Sequence, residues 1–162
     1  MLNKNNAVSL LSSLVLAASL AGCVSNAAKQ EAAAPAQAPG MNSRGQVVDS
    51  RAVEAGTGQV VKGIGDWEGE ISGKPAANSK FTKLQIGMPL KQVTDLVGQP
   101  TDQGAYITGK AFIPFYFGSD QHRYEMVYKG QGRLIFAGGS LGDFSAGHLI
   151  WIIHNASESG YR

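Results

Sequence analysis

One side chain in this chain of 162 residues has a chemistry that its surroundings define: Cys23, the only thiol. It follows Leu20, Ala21 and Gly22, at the end of an apolar run, Ala7 to Ala21, that only Ser9, Ser12, Ser13 and Ser19 interrupt and that Lys4 precedes. Ala21 and Gly22 are small enough for a peptidase to reach the backbone. The thiol is a nucleophile suited to lipid transfer. The other groups able to do chemistry lack such a setting. Gly138-Gly139-Ser140-Leu141-Gly142 satisfies Gly-x-Ser-x-Gly, but that motif works on a strand-to-helix turn with a later acid and histidine. Here a short loop is predicted, so Ser140 is not expected to be a nucleophile. His122, His148 and His154, with Asp120, Glu125 and Asp143, lack the close pairing of a metal motif. Asp95 and Asp102 flank a predicted helix and turn, where solvation or turn formation explains a carboxylate. No catalytic residue, metal or cofactor is expected.

The elements around Cys23 read as an export signal: a positive head, then an apolar core of about 15 residues, too short to cross a bilayer as a mature helix. Leu20-Ala21-Gly22-Cys23 resembles the lipobox of bacterial lipoproteins. The resemblance implies cleavage before Cys23 and three acyl chains on it, each buried methylene contributing about 0.8 kcal/mol to anchoring. Where such lipoproteins are sorted by the next residue, Asp retains them at the inner membrane. Val24 therefore implies the outer membrane, with the protein facing the periplasm. With one cysteine, no disulfide can form within the chain.

Fourteen Lys and Arg against twelve Asp and Glu give a formal charge of +2, too little to indicate a nucleic-acid partner. Residues 1–22 are the predicted signal. Residues 23–58, rich in Ala, Pro, Gln and Gly, read as a disordered tether. Residues 59–78 read as a partly ordered lead-in, in which Val60 to Ile64 or Glu68 to Ile71 could add a strand. Residues 79–162 form the expected domain.

Within that domain the spacing predicts a helix over Met88 to Gly98, with Pro89 in its first turn, Leu90, Val93, Leu96 and Val97 on one face, and Gly98 and Pro100 ending it. Asn78 and Ser79 are placed to cap a shorter helix carrying Phe81 and Leu84. Arg123 to Tyr128 and Arg133 to Ala137 read as a hairpin across Lys129-Gly130-Gln131-Gly132. Leu149 to His154 reads as a further strand. Ala111 to Phe117, with Pro114, reads as an edge segment. The expected class is α+β: two short N-terminal helices on a three- to four-stranded antiparallel sheet. Apolar residues at both parities of the strands predict that the second sheet face is also covered, by the Trp67 segment or by a partner.

Phe81 to Pro100, with Gly87-Met88, Val93, Leu96, Gly98 and Pro100, resembles the helix-turn-helix signature of the BamE-like (SmpA/OmlA) outer-membrane lipoproteins. The resemblance covers roughly Ser79 to Ile153. It implies an ααβββ domain and a partner in outer-membrane protein assembly or envelope integrity. The tether, the Tyr106 to Phe117 insertion and the tail from Asn155 to Arg162 depart from the compact family pattern. Ile113, Phe115, Tyr116 and Phe117 are the candidate recognition residues, because two small helices cannot bury both faces of that segment. The function expected is a non-enzymatic, membrane-anchored accessory module that binds an envelope protein. The alternative is a ligand-binding or enzyme-inhibitor module of similar fold.

Overall fold

The computed structural model describes residues 37–108, 122–139 and 143–162, all within the unit Pro35–Arg162. Six strands form one mixed sheet: β1 (Gln59–Lys62), β2 (Glu68–Ser72), β3 (Asp102–Ile107), β4 (His122–Tyr128), β5 (Gly132–Ala137) and β6 (His148–His154). Their spatial order is β1-β2-β6-β5-β4-β3, antiparallel throughout except where β2 runs parallel to β6. One α-helix, α1 (Leu90–Val97), and a 3-10 turn at Lys80–Lys83 complete the regular structure of the described residues.

This corrects the expected class of two helices on three or four antiparallel strands. Ser79 does cap the first element, its hydroxyl accepting from the Phe81 amide at 3.3 Å. The turn nevertheless ends after four residues, because Leu84 turns extended with ψ 150°. The backbone that follows is already committed to tertiary partners. Ile86 O accepts from Ile64 N, Gly87 N donates to Leu149 O, Met88 O accepts from Leu149 N, and Leu90 N donates to Gly147 O. Groups bonded to the sheet cannot also close helical turns. Pro89 consequently stands as the extended N-cap, one residue before α1. Gly87, at φ +86°, makes the bend, and a Cβ there would lie 2.9 Å from the Trp67 Cβ.

Alternation along β5 and β6 separates two cores. On the helix face Phe81, Leu84, Ile86, Met88, Val93 and Val97 pack on Met126, Tyr128, Leu134, Phe136, Leu149 and Ile152. On the other face Val47 and Val53 pack on Ile135, Trp151 and Ile153, with Met41 and Ile150 alongside. The cover of this second face is therefore residues 41–53, not the Trp67 segment; Trp67 packs on the helix-face core and stacks on His148 at 4.6 Å. The disordered tether expected over 23–58 is likewise too long. From residue 38 onward the chain makes turns and a Met41–Val47 bridge, and two of its few apolar side chains are buried.

Polar bonds hold this arm down. Both carboxylate oxygens of Glu70 in β2 accept backbone amides from the arm's last turn, Gly56 at 2.6 Å and Gly58 at 2.5 Å. The Asn155 side-chain amide donates to the Ser50 hydroxyl at 2.9 Å, joining the arm to the C-terminal tail. Beneath them Arg133 of β5 donates through Nε and Nη2 to Glu158 at 3.0 and 3.1 Å and through Nη1 to Glu125 at 2.9 Å, its side chain only 5% exposed. Burial opposes the charge on Glu158, but hydrogen bonds from Arg133 and Ser50 outweigh it and hold the carboxyl below its ordinary pKa.

Candidate interaction surface

An eight-residue helix is about 12 Å long and about 10 Å across, whereas six strands span about 24 Å. The helix cannot cover its whole face. It lies toward β6, and beside it a groove of about 700 Å³ runs over β3 and the Tyr124 end of β4. Tyr124 and Met126 of β4 and Ala105 of β3 form the floor, with Leu90 of α1 on one wall. Phe144 closes one end by stacking on Tyr124 at 4.8 Å with the rings 14° apart. Lys91, Asp95, Gln99, Gln103 and Asp143 form a polar rim. Lys91 and Asp95 pair across one helical turn at 2.8 Å but remain mostly exposed, so both stay available at the surface. An apolar floor inside a polar rim is the anatomy of a protein-binding patch.

A smaller hollow of about 390 Å³ lies between the β1–β2 hairpin and the middle of the sheet. Val60, Trp67, Ile150 and Trp151 give it apolar walls, and Glu68, Glu70 and Arg123 give it charge of both signs. The Trp151 indole N–H is held by the Ser72 hydroxyl at 2.9 Å, which fixes one wall.

The lipobox residues Leu20, Ala21, Gly22 and Cys23 lie outside the described residues, as do Ile113, Phe115, Tyr116 and Phe117. The connection that carries the latter four joins Ile107 to His122, which are register partners at the end of the β3–β4 pair. The expected edge segment Ala111 to Phe117 also lies outside the described residues; β3 at Asp102–Ile107 is a strand that was not expected. Ser140 and Asp120 also fall outside. Gly138 and Gly139, at φ +93° and +82°, lead from β5 toward antiparallel β6, not from a strand into a helix.

The three histidines stand apart. His122 opens β4, His148 stacks on Trp67, and His154 is buried with its ring 6.0 Å from Phe81. Burial lowers the His154 pKa, and its Nδ1 has no hydrogen-bond partner. Among the described residues no three His, Cys, Asp or Glu side chains cluster to hold a metal. Asp102 anchors the tail, accepting the Arg162 amide at 3.0 Å, and that bond foremost holds its carboxyl below the ordinary value.

Sequence reasoning missed the groove because it missed β3. Gln103 and Ala105 follow a helix-stopping Pro100, and only Ala105-Tyr106-Ile107 hints at a strand. Among the described residues no helix is long and apolar enough to cross a membrane. No family model, curated protein or solved structure matches the chain.

Proposed function

We propose that this chain is a bacterial lipoprotein, acylated on Cys23 at the outer membrane and facing the periplasm, whose domain is a non-enzymatic module that binds an envelope protein. The observation that carries this reading is Leu20-Ala21-Gly22-Cys23 at the end of an export-type apolar run, with Cys23 the only cysteine. The resemblance of Phe81 to Pro100 to the BamE-like signature supports a partner in outer-membrane assembly or integrity. The groove between α1 and β3–β4 supports recognition of a protein surface, since its apolar floor adjoins groups able to hydrogen bond.

The anchor is tested by Cys23→Ser, which is expected to move the protein from the membrane to the soluble fraction; unchanged fractionation would overturn it. The role is tested by clean deletion, with barrel-protein levels and detergent sensitivity as readouts. Photocrosslinkers at Gln103 and Lys91 in intact cells are expected to capture an envelope protein. Wild-type envelope behaviour together with no crosslink at either position would defeat the reading.

The hollow lined by Val60, Ile150 and Trp151 favours a second reading, binding of a small molecule. A compound that co-purifies with the wild type and is lost in Trp151→Ala would support it.

A further inference from the structure

We infer that the surface around Val48 is the side of the domain that lies against an anionic phospholipid surface, an inference that rests on acylation of Cys23. The chain reaches the domain at this place. The Gly40 carbonyl accepts the amides of Val48 at 2.8 Å and Asp49 at 3.1 Å, and Met41 bridges Val47. Gln37, where the described residues begin, is fourteen residues on from Cys23. At full extension that length reaches at most about 50 Å, whereas a tether running to residue 58 would reach about 120 Å. The chain thus enters the domain beside this surface.

Its chemistry suits the inner leaflet of an anionic bilayer. Val48 is 56% exposed and Tyr161 66%. Two hollows flank the arm, both lined by Val48 and Ser157; Lys74 lines one and Arg51 the other. Arg51 donates to the Tyr161 carbonyl at 3.2 Å, which sets that residue beside it. Arg44 sits in a turn closed by Asn42, whose side-chain oxygen accepts the Arg44 and Gln46 amides, both at 3.0 Å. Among the described residues, no carboxylate lies within 4.0 Å of the charged groups of Arg44, Arg51 or Lys74. Two acids adjoin them: Asp49, whose carboxylate accepts the Arg51 amide at 3.0 Å, and Glu158, which is paired with Arg133, so Arg44, Arg51 and Lys74 outweigh the one of these acids without an ion partner among the described residues. Lys74 and Arg51, in the two hollows that Val48 lines, match headgroup phosphates beside an apolar contact. Each Lys or Arg at such a surface strengthens binding about five-fold, and three together about a hundred-fold.

The test uses the mature, acylated full-length protein in vesicles of phosphatidylethanolamine with or without phosphatidylglycerol. With Cys23 acylated, a cysteine placed by Ser43→Cys or by Ile107→Cys is the only free thiol, and it takes an environment-sensitive fluorophore. The label at 43 is expected to shift to shorter wavelength when phosphatidylglycerol is present, and the label at 107 is not. Combined Arg44→Glu, Arg51→Glu and Lys74→Glu changes should abolish the shift while the protein still floats with the vesicles and keeps its circular dichroism spectrum. A label at 43 that reports water in both vesicles, on a protein that still floats, overturns the inference and leaves the anchor standing. So does a shift seen only when a protein partner is added. A mature protein whose mass shows no acyl chains on Cys23 overturns the anchor, and the inference with it.

Discussion

The two faces of the sheet are closed by different physics. The helix face is sealed by side chains that exclude water and need no particular partner: Phe81, Leu84, Ile86, Val93 and Val97 over Leu134, Phe136, Leu149 and Ile152. The arm face has a thinner apolar layer, Val47 and Val53, and is closed around it by the Arg133–Glu125–Glu158 cluster, the Glu70 carboxylate and the Asn155–Ser50 bond. Apolar packing adapts to a lost atom by partial collapse. A buried charge network does not, because each member left alone keeps its desolvation penalty. The helix face should therefore fail gradually, and the arm face abruptly when one charged partner is removed.

The largest effects test that contrast directly. Phe136→Ala on the helix face, at a fully buried position, should lower unfolding free energy by about 3–5 kcal/mol in chemical denaturation. Phe136→Leu should recover most of it, since an apolar group of near size refills the space. Arg133→Ala should lose a similar amount, about 3–5 kcal/mol, because it strands Glu125 and Glu158. Restoring volume alone, as in Arg133→Met, should not recover it; adding Glu125→Gln and Glu158→Gln should recover part. If Arg133→Met were as stable as wild type, the ion network would not be what closes this face.

A smaller effect separates the arm from the sheet. Val53→Ala removes part of a two-residue apolar layer and should cost about 1–2 kcal/mol. Local opening should exceed global loss, so limited proteolysis after Arg44 or Arg51 should accelerate more than unfolding does. Equal acceleration of the two would mean that the arm is part of the cooperative core.

The same contrast explains what could be read from the chain. Helix α1, the β4–β5 hairpin and β6 were legible because their apolar residues repeat at helical or alternating spacing between Gly and Pro stops. The arm carries no period. Val47 and Val53 lie six residues apart in a polar, Gly-containing stretch, and what secures them are side-chain bonds to Glu70, twelve and fourteen residues on from its partners, and to Asn155, more than a hundred residues on from Ser50. Glu68 to Ile71 was legible as a possible strand, but not its place as the parallel neighbour of β6, because that partner lies some eighty residues on. Of the groove, the helix wall and the β4 floor were visible as elements, but their meeting was not, because it depends on β3 and on how little of the sheet α1 covers.

Acidification offers the finest test, because each face holds a titrating group with its own window. His154, on the helix face beside Phe81, has its pKa lowered by burial and is kept neutral in the fold. The unfolded chain binds its proton near the ordinary value of 6.5. As pH falls below that value the unfolded state gains a proton that the native state does not, so stability declines by at most about 1.4 kcal/mol per pH unit, and the loss ends once pH passes the folded pKa. Glu158, on the arm face, is likewise lowered, but from 4.5. Its stabilisation is intact above that value and is lost as pH falls through its folded pKa. Stability should therefore begin to decline below about pH 6.5 through His154 and gain a further decline below about pH 4.5 through Glu158. His154→Phe should erase the first and leave the second, and a variant carrying Arg133→Met with Glu125→Gln and Glu158→Gln should do the reverse. A first decline that survives in His154→Phe would mean that another group titrates there, and the assignment of that window to the helix face would be wrong.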